Sequence, residues 1–225
     1  MSPLEVLKFL EDRNVEVLFF ATFGSFGTDD WSEESDIDIF IVVRDVDDET
    51  LELLPRDKVD LIICNENTLE FALAPPFMID LAFSNPLVDK IGLRDRCLRN
   101  LKSKNIVRWL LNRLKMHDSI LSHMLRSPEK STKICGSEAI KAINTIRLAL
   151  SVISGRRISR SEIIRDIEEN LKIDMAPFIQ QFYAKKTREK SPEIPPEVCV
   201  NTLRKILEMV KLIIKKLENI RNTQI

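Results

Sequence analysis

The sequence predicts an α+β fold, with a small mixed-sheet domain over residues 1–91 followed by an all-α helical bundle domain over residues 92–225. Short runs rich in β-branched and aromatic residues lie before Pro86, whereas apolar residues beyond it recur at helical spacing. The charge changes at the same place. Residues 1–91 contain 21 acidic and 6 basic residues, and residues 92–225 contain 14 acidic and 28 basic residues. Two units with different electrostatic tasks are therefore expected.

The composition is that of a globular protein, with 44% hydrophobic and 31% charged residues among 225. No apolar run reaches the length of a membrane span, and the N-terminus lacks the layout of a signal peptide, so we expect a cytoplasmic protein. The cysteines are widely scattered, without a Cys-x-x-Cys pair, and fit neither a zinc site nor a disulfide framework. We expect reduced, mostly buried thiols at Cys64, Cys97, Cys135 and Cys199.

The first domain is predicted to begin with a helix capped by Ser2, with Pro3 at its first position and Glu5 completing a capping box. Leu4, Leu7 and Leu10 would form the apolar face of that helix. Strands follow in the apolar runs, and a polar stretch between the first two forms a loop or short helix. The predicted strands are Val15–Phe23, Asp36–Val43, Val59–Cys64 and Met78–Phe83, and the loop is Gly27–Ser35.

The second domain is predicted to contain four or five helices in an antiparallel bundle. Apolar stripes run from Val107 to Met124 and from Ile140 to Ile153. Ser159 and Glu162 form a capping box that opens the next helix. The last helix begins after Pro195-Pro196.

The end of the first strand and the start of the second carry a candidate site. Gly24 permits a tight turn, after which backbone N–H groups and the Ser25 hydroxyl can donate to a phosphate. Asp36 and Asp38 alternate with Ile37, so both carboxylates lie on one face of the strand. Adjacent carboxylates repel unless a cation lies between them, and Mg²⁺ or Mn²⁺ suits such oxygen ligands.

Asp60 is a third candidate ligand, alone on the apolar strand Val59–Cys64. If this strand lies beside the second, three carboxylates form a site for two divalent cations. Asp80, in a similar apolar setting, is its rival. We prefer Asp60 because its strand follows the Asp pair sooner and is richer in β-branched residues.

Gly24-Ser25, ten intervening residues and Asp36-Ile37-Asp38 together resemble the signature of the polymerase-β-like nucleotidyltransferase superfamily, particularly its minimal and antibiotic-modifying branches. The resemblance implies that Gly24 and Ser25 contact the phosphates of an NTP. It implies that Asp36 and Asp38 bind metal ions, and that Asp60 helps with metal binding or deprotonation.

The resemblance covers residues 15–85 and extends weakly into Ala139–Glu162, which is similar to the helical acceptor-side domain of aminoglycoside nucleotidyltransferases. It implies an enzyme that transfers an NMP from an NTP, in the first instance ATP, to an acceptor hydroxyl with Mg²⁺ or Mn²⁺. The acceptor stays open between a small molecule, a tRNA end and a protein. No membrane partner is expected, and a homodimer is allowed.

One departure from the family concerns the loop after the Gly-Ser pair. Many minimal members carry arginines there, whereas this chain has Phe26-Gly27-Thr28-Asp29-Asp30. Either the basic domain supplies a cation, with Arg147, Arg156 and Arg157 as candidates, or nucleotide binding is weak or lost.

Two alternatives belong to other functional classes. The missing arginines favour a catalytically weak, antitoxin-like module that binds a partner protein. The basic last helix, with Lys211, Lys215 and Lys216, could instead contact RNA. The histidines are expected to be structural, with His117 packed and hydrogen-bonded and His123 facing solvent.

Overall fold

The fold is described from a computed structural model, which defines residues 2–26, 36–54, 58–187 and 191–223, the side chains of 185–187 excepted. The loop predicted at Gly27–Ser35 lies outside these ranges. The chain divides into two compact units, Met1–Leu101 and Lys102–Ile225. The first carries a net charge of −13 and the second +12. The domain boundary after residue 91 stays a prediction, since these units are defined by packing alone.

The first unit is built on a four-stranded mixed sheet, as predicted, in the order β3-β2-β1-β4. The central strands β1 and β2 are antiparallel, β3 runs parallel to β2, and β4 pairs antiparallel with β1. Helices connect and cover the strands. In chain order the elements are α1 (Pro3–Glu11), β1 (Val17–Phe23), β2 (Ile37–Val43), α2 (Asp48–Leu53), β3 (Val59–Asn65), α3 (Leu69–Ala72), α4 (Pro75–Ala82), β4 (Val88–Asp89) and α5 (Leu93–Asn100).

Helix α1 begins with the predicted capping box. Ser2 Oγ accepts from the Glu5 backbone N–H at 3.3 Å, and the Glu5 carboxylate accepts from the Ser2 N–H at 2.6 Å. The predicted apolar face is confirmed at Leu10, which is fully buried, and at Leu7, which packs against the core, but Leu4 is 63% exposed and Val6 is buried instead. This face covers the side of the sheet that carries alternate residues of β2 from Ile37 to Val43.

The prediction of a strand over Met78–Phe83 is wrong, because this segment belongs to helix α4. Pro75 and Pro76 occupy its first turn, where no intrahelical N–H is needed. Helix α4 lies on the opposite side of the sheet from α1, with the Phe77 ring 5.6 Å from that of Phe23 and 6.4 Å from that of Phe40. The fourth strand is instead the two-residue β4.

The second unit contains only helices within the part of the chain that the structure describes. Helix α8 lies at its centre, packs against α6, α9, α10 and α11, and is buried on nearly every side. The predicted capping box of Ser159 and Glu162 opens α9. The helices are α6 (Lys104–Arg126), α7 (Pro128–Ser131), α8 (Cys135–Ser154), α9 (Arg160–Leu171), α10 (Ala176–Thr187) and α11 (Pro196–Asn222).

The start of α8 is held by a disulfide and by an amide side chain. Cys135 and Cys199 form a disulfide between α8 and α11, so the prediction of reduced thiols is wrong for this pair. Their separation of 64 residues gives no local sequence signal, and only the packing of the two helices brings them together. The prediction is confirmed for Cys64 and Cys97, which are free and buried, and burial raises the pKa of each thiol to about 11.

Helix α10 approaches α8 closely at Gly136. A Cβ at this glycine would lie 2.6 Å from the Phe178 backbone oxygen, so no larger residue fits without displacing α10. The Gln181 amide completes the contact by accepting from the Gly136 N–H at 2.7 Å and donating to the carbonyls of Thr132 and Pro192, each at 2.8 Å.

Among the described helices, none is long and apolar enough to cross a lipid bilayer.

Candidate functional site

The strand register brings Asp38 and Asp60 together. Asp38 of β2 is the direct partner of Asp60 in the parallel strand β3 and of Phe23 in the antiparallel strand β1. Side chains at paired positions of neighbouring strands lie on the same face of a sheet. Asp38 alternates with Ile39 of the α1 side, so this face is the one covered by α4. Asp38 is half-buried and Asp60 is exposed.

Asp36 lies one residue before β2 and is exposed. The Ile37 N–H donates to the Lys58 carbonyl at 2.9 Å, which continues the parallel pairing to the start of both strands. The three predicted carboxylates therefore lie at one end of the β2–β3 pair, with Asp38 and Asp60 on one face. Within the described residues, however, no group of three or more His, Cys, Asp or Glu side chains is arranged to hold a metal ion.

Gly24 lies directly against the Asp38 carboxylate. It follows Phe23 at the end of β1 and has a φ of 65°, a left-handed conformation that favours glycine. A Cβ at this position would overlap Asp38 Oδ2. Gly24 thus serves two purposes, because it allows the chain to turn with Ser25 and leaves room for the carboxylate. Ser25 is half-buried in the same turn.

The rival carboxylate, Asp80, is not on the sheet. It is a buried residue of helix α4. The structure therefore pairs Asp38 with Asp60 by strand register and places Asp80 on the helix that covers their face of the sheet. The chemistry of the donor set, three acidic side chains with exposed or half-exposed carboxylates, fits a hard divalent cation such as Mg²⁺.

Sequence reasoning did not single out Lys58, which lies beside this site. Lys58 lies just before β3, its carbonyl accepts from the Ile37 N–H, and its side chain is exposed. It has a φ of 56°, which is unusual for a residue with a side chain. The available sequence signal was its position two residues before Asp60. The parallel pairing of β2 with β3, which brings this position near Asp38, is a tertiary feature that the sequence does not show.

The helical unit accounts for other predicted residues. His117 is 3% exposed, and its Nε2 lies 3.0 Å from Thr145 Oγ1, which confirms a packed, hydrogen-bonded histidine. Burial lowers the pKa of His117, the dominant effect over the opposing influence of Glu138. His123 is exposed, as predicted.

Of the three candidate arginines, Arg156 forms an ion pair with Glu162 at 3.0 Å, inside the helical unit. That pair joins the capping box of α9 and holds the pKa of Glu162 below its usual value. Arg147 and Arg157 are also engaged in contacts.

Comparisons with known proteins identify the first unit. Residues 4–88 match the family model described as Nucleotidyltransferase domain. No curated protein matches the sequence. A similar solved structure is that of spectinomycin adenyltransferase AAD(9) from Enterococcus faecialis with ATP and spectinomycin. It has a TM-score of 0.48 and 12% identity, and the match covers 93% of this chain and 100% of that one.

The matched residues contain the Gly24-Ser25 turn and all three sheet carboxylates. Residues 4–88 of this chain therefore form a nucleotidyltransferase domain of the polymerase-β-like superfamily.

Proposed function

We propose that this protein is a metal-dependent enzyme that transfers a nucleoside monophosphate from an NTP, with ATP as the first candidate, to an acceptor hydroxyl. The observation that carries the proposal is the register pairing of Asp38 with Asp60 beside Gly24, inside a segment that matches the nucleotidyltransferase model. In the reaction, the acceptor oxygen forms a bond to the α-phosphorus. The bond from that phosphorus to the bridging oxygen breaks, and pyrophosphate leaves with the bonding electrons.

Each residue of the site has a role in this proposal. Asp36 and Asp38 would hold Mg²⁺ or Mn²⁺, with Asp60 as a further ligand. When bound, the ions lower the pKa of the acceptor hydroxyl and neutralise charge on the pyrophosphate. Asp60 accepts the proton of the acceptor hydroxyl. The Gly24-Ser25 turn donates backbone N–H groups and a hydroxyl to the phosphates and so aligns the α-phosphorus.

In this proposal the two units bind different substrates, the nucleotide and the acceptor. The first unit, at −13, requires cations before it can accept a triphosphate, which supports metal dependence. The proposed domain arrangement assigns nucleotide binding to residues 1–91 and leaves the helical domain, residues 92–225, to the acceptor. The acceptor is left open between a small molecule, a tRNA end and a protein.

The proposal is tested by titrating the full chain with each NTP in the presence of Mg²⁺ or Mn²⁺ in a calorimeter. Asp38→Asn and Asp60→Asn should each weaken binding at least about tenfold, since a carboxylate ligand to a divalent cation is lost. The matched control is Asp95→Asn, an exposed aspartate of α5, which should bind like the wild type.

A second assay identifies the acceptor. The chain is incubated with labelled NTPs and cell extract, and the labelled product is recovered. If the wild type binds no NTP with either metal, the proposal is wrong, and the alternative of a catalytically weak interaction module becomes the better account.

A further inference from the structure

We propose that Lys58 binds the β- and γ-phosphates of the nucleotide and replaces the arginines that many minimal relatives carry after their Gly-Ser pair. The inference rests on the proposed function and deepens it by naming a phosphate-binding residue. It starts from a deficit of positive charge. A site with Asp36, Asp38 and Asp60 repels a triphosphate, so a cationic side chain near the carboxylates would favour its binding.

Lys58 is the cation that the strand register places beside these carboxylates. The Ile37 N–H donates to the Lys58 carbonyl at 2.9 Å, and the next register pairs are Ile37 with Val59 and Asp38 with Asp60. Lys58 therefore directly precedes the paired residues Val59 and Asp60, and its side chain is exposed. An ammonium on the long lysine stem at this position suits the outer phosphates of a triphosphate.

Three other described cations of the first unit stand elsewhere. Arg44 lies at the opposite end of β2, where its Nε is 2.6 Å from the Glu16 carboxylate. The Lys90 N–H donates to the Leu18 carbonyl near the start of β1, also away from Asp38. Arg96 pairs with Glu70 at 3.2 Å.

The backbone of Lys58 supplies an independent observation. Its φ of 56° is a conformation that residues with a Cβ adopt rarely. The other described residues of this kind that are not glycine, Asn14 and Lys172, lie where a helix ends, a common place for left-handed residues. Lys58 lies in a turn just before β3. Left-handed residues with a side chain also occur at functional positions, so this conformation is compatible with the proposed role.

The test compares Lys58→Met and Lys58→Arg with Lys90→Met, which removes an equally exposed lysine from the same unit. Affinities for ATP and AMP are measured by calorimetry with Mg²⁺ in the full chain, and thermal unfolding is followed without nucleotide. Lys58→Met should weaken ATP binding about tenfold and leave AMP binding within about twofold, because only ATP carries the contacted phosphates. Lys58→Arg should restore most of the ATP affinity, and Lys90→Met should change neither.

Two results would overturn the inference while leaving the proposed function standing. One is a Lys58→Met variant that binds ATP like the wild type. The other is a variant whose melting temperature changes but whose preference for ATP over AMP does not, which would make Lys58 a structural neighbour of the carboxylates. A wild-type chain that binds no NTP would overturn both proposals together.

Discussion

The disulfide between Cys135 and Cys199 should be the largest single contribution to the stability of the helical unit. We consider the double variant Cys135→Ala/Cys199→Ala in the full chain. Both sulfur atoms are fully buried, and alanine avoids placing an unpaired hydroxyl in the core. The two cysteines are 64 residues apart, so the bond closes a long loop in the unfolded chain.

The magnitude follows from loop closure. For a loop of this length, the bond lowers the entropy of the unfolded chain by about 14 cal/mol/K, which corresponds to about 4 kcal/mol at 25 °C. Losing two buried sulfur atoms adds a smaller packing term. We therefore expect the free energy of unfolding of the double variant to fall by about 4 kcal/mol or slightly more.

The assay is urea unfolding followed by circular dichroism, with and without reductant. The variant and the reduced wild type should unfold at similar, lower urea concentrations. The control, Cys64→Ala/Cys97→Ala, removes the two free thiols and should keep its response to reductant.

A thiol titration in denaturant checks the premise directly. It should find two reactive thiols before reduction, those of Cys64 and Cys97, and four after it. Four thiols before reduction, or a change of less than about 1 kcal/mol in the double variant, would refute the loop-closure reasoning.

Two further predictions concern the sheet site and the buried histidine. Gly24→Ala and Gly92→Ala both place a Cβ at a φ above 60°, so each should lose about 1–2 kcal/mol of stability. Only Gly24→Ala should also lose Mg·ATP affinity, because its Cβ displaces the rotatable Asp38 carboxylate. The space around Gly92 is open, so Gly92→Ala should bind Mg·ATP like the wild type. Equal affinities of the two variants in calorimetry would contradict this prediction. His117 has a pKa below its unfolded value of about 6.5, so the folded state resists protonation and stability should decline as the pH falls below about 6.5. His117→Gln should flatten the dependence of the urea midpoint on pH between about 7.5 and 5, and His123→Gln, at an exposed position, should not.

Local signals predicted most of the fold. Both capping boxes lie where Ser-x-x-Glu patterns place them, and the first three strands follow runs of β-branched and aromatic residues. The segment Met78–Phe83 was assigned wrongly because a short, continuous apolar run looks the same whether it is a buried strand or a buried helix. The pair Pro75-Pro76 just before it is the signal that favours a helix.

What could not be predicted depends on contacts between distant segments. The sequence indicates that Asp36 and Asp38 share a face, but the partner of Asp38 follows only from the parallel pairing of β2 with β3. The same holds for Lys58, and for Cys135 and Cys199, which meet only because α8 packs on α11. The number of residues between the two cysteines gives no indication of that contact.

The alignment of β2 with β3 has a consequence for how this protein tolerates changes in length. One residue inserted between Val59 and Asp60 would reverse the facing of Asp60 and direct its charge towards the apolar layer beneath the sheet. One residue inserted ahead of Lys58 would not change the spacing between Lys58 and Asp60 or the residues that pair with β2. The face on which the Asp60 carboxylate lies therefore depends on whether the number of residues between Lys58 and Asp60 is odd or even. It depends hardly at all on the length of the chain before Lys58.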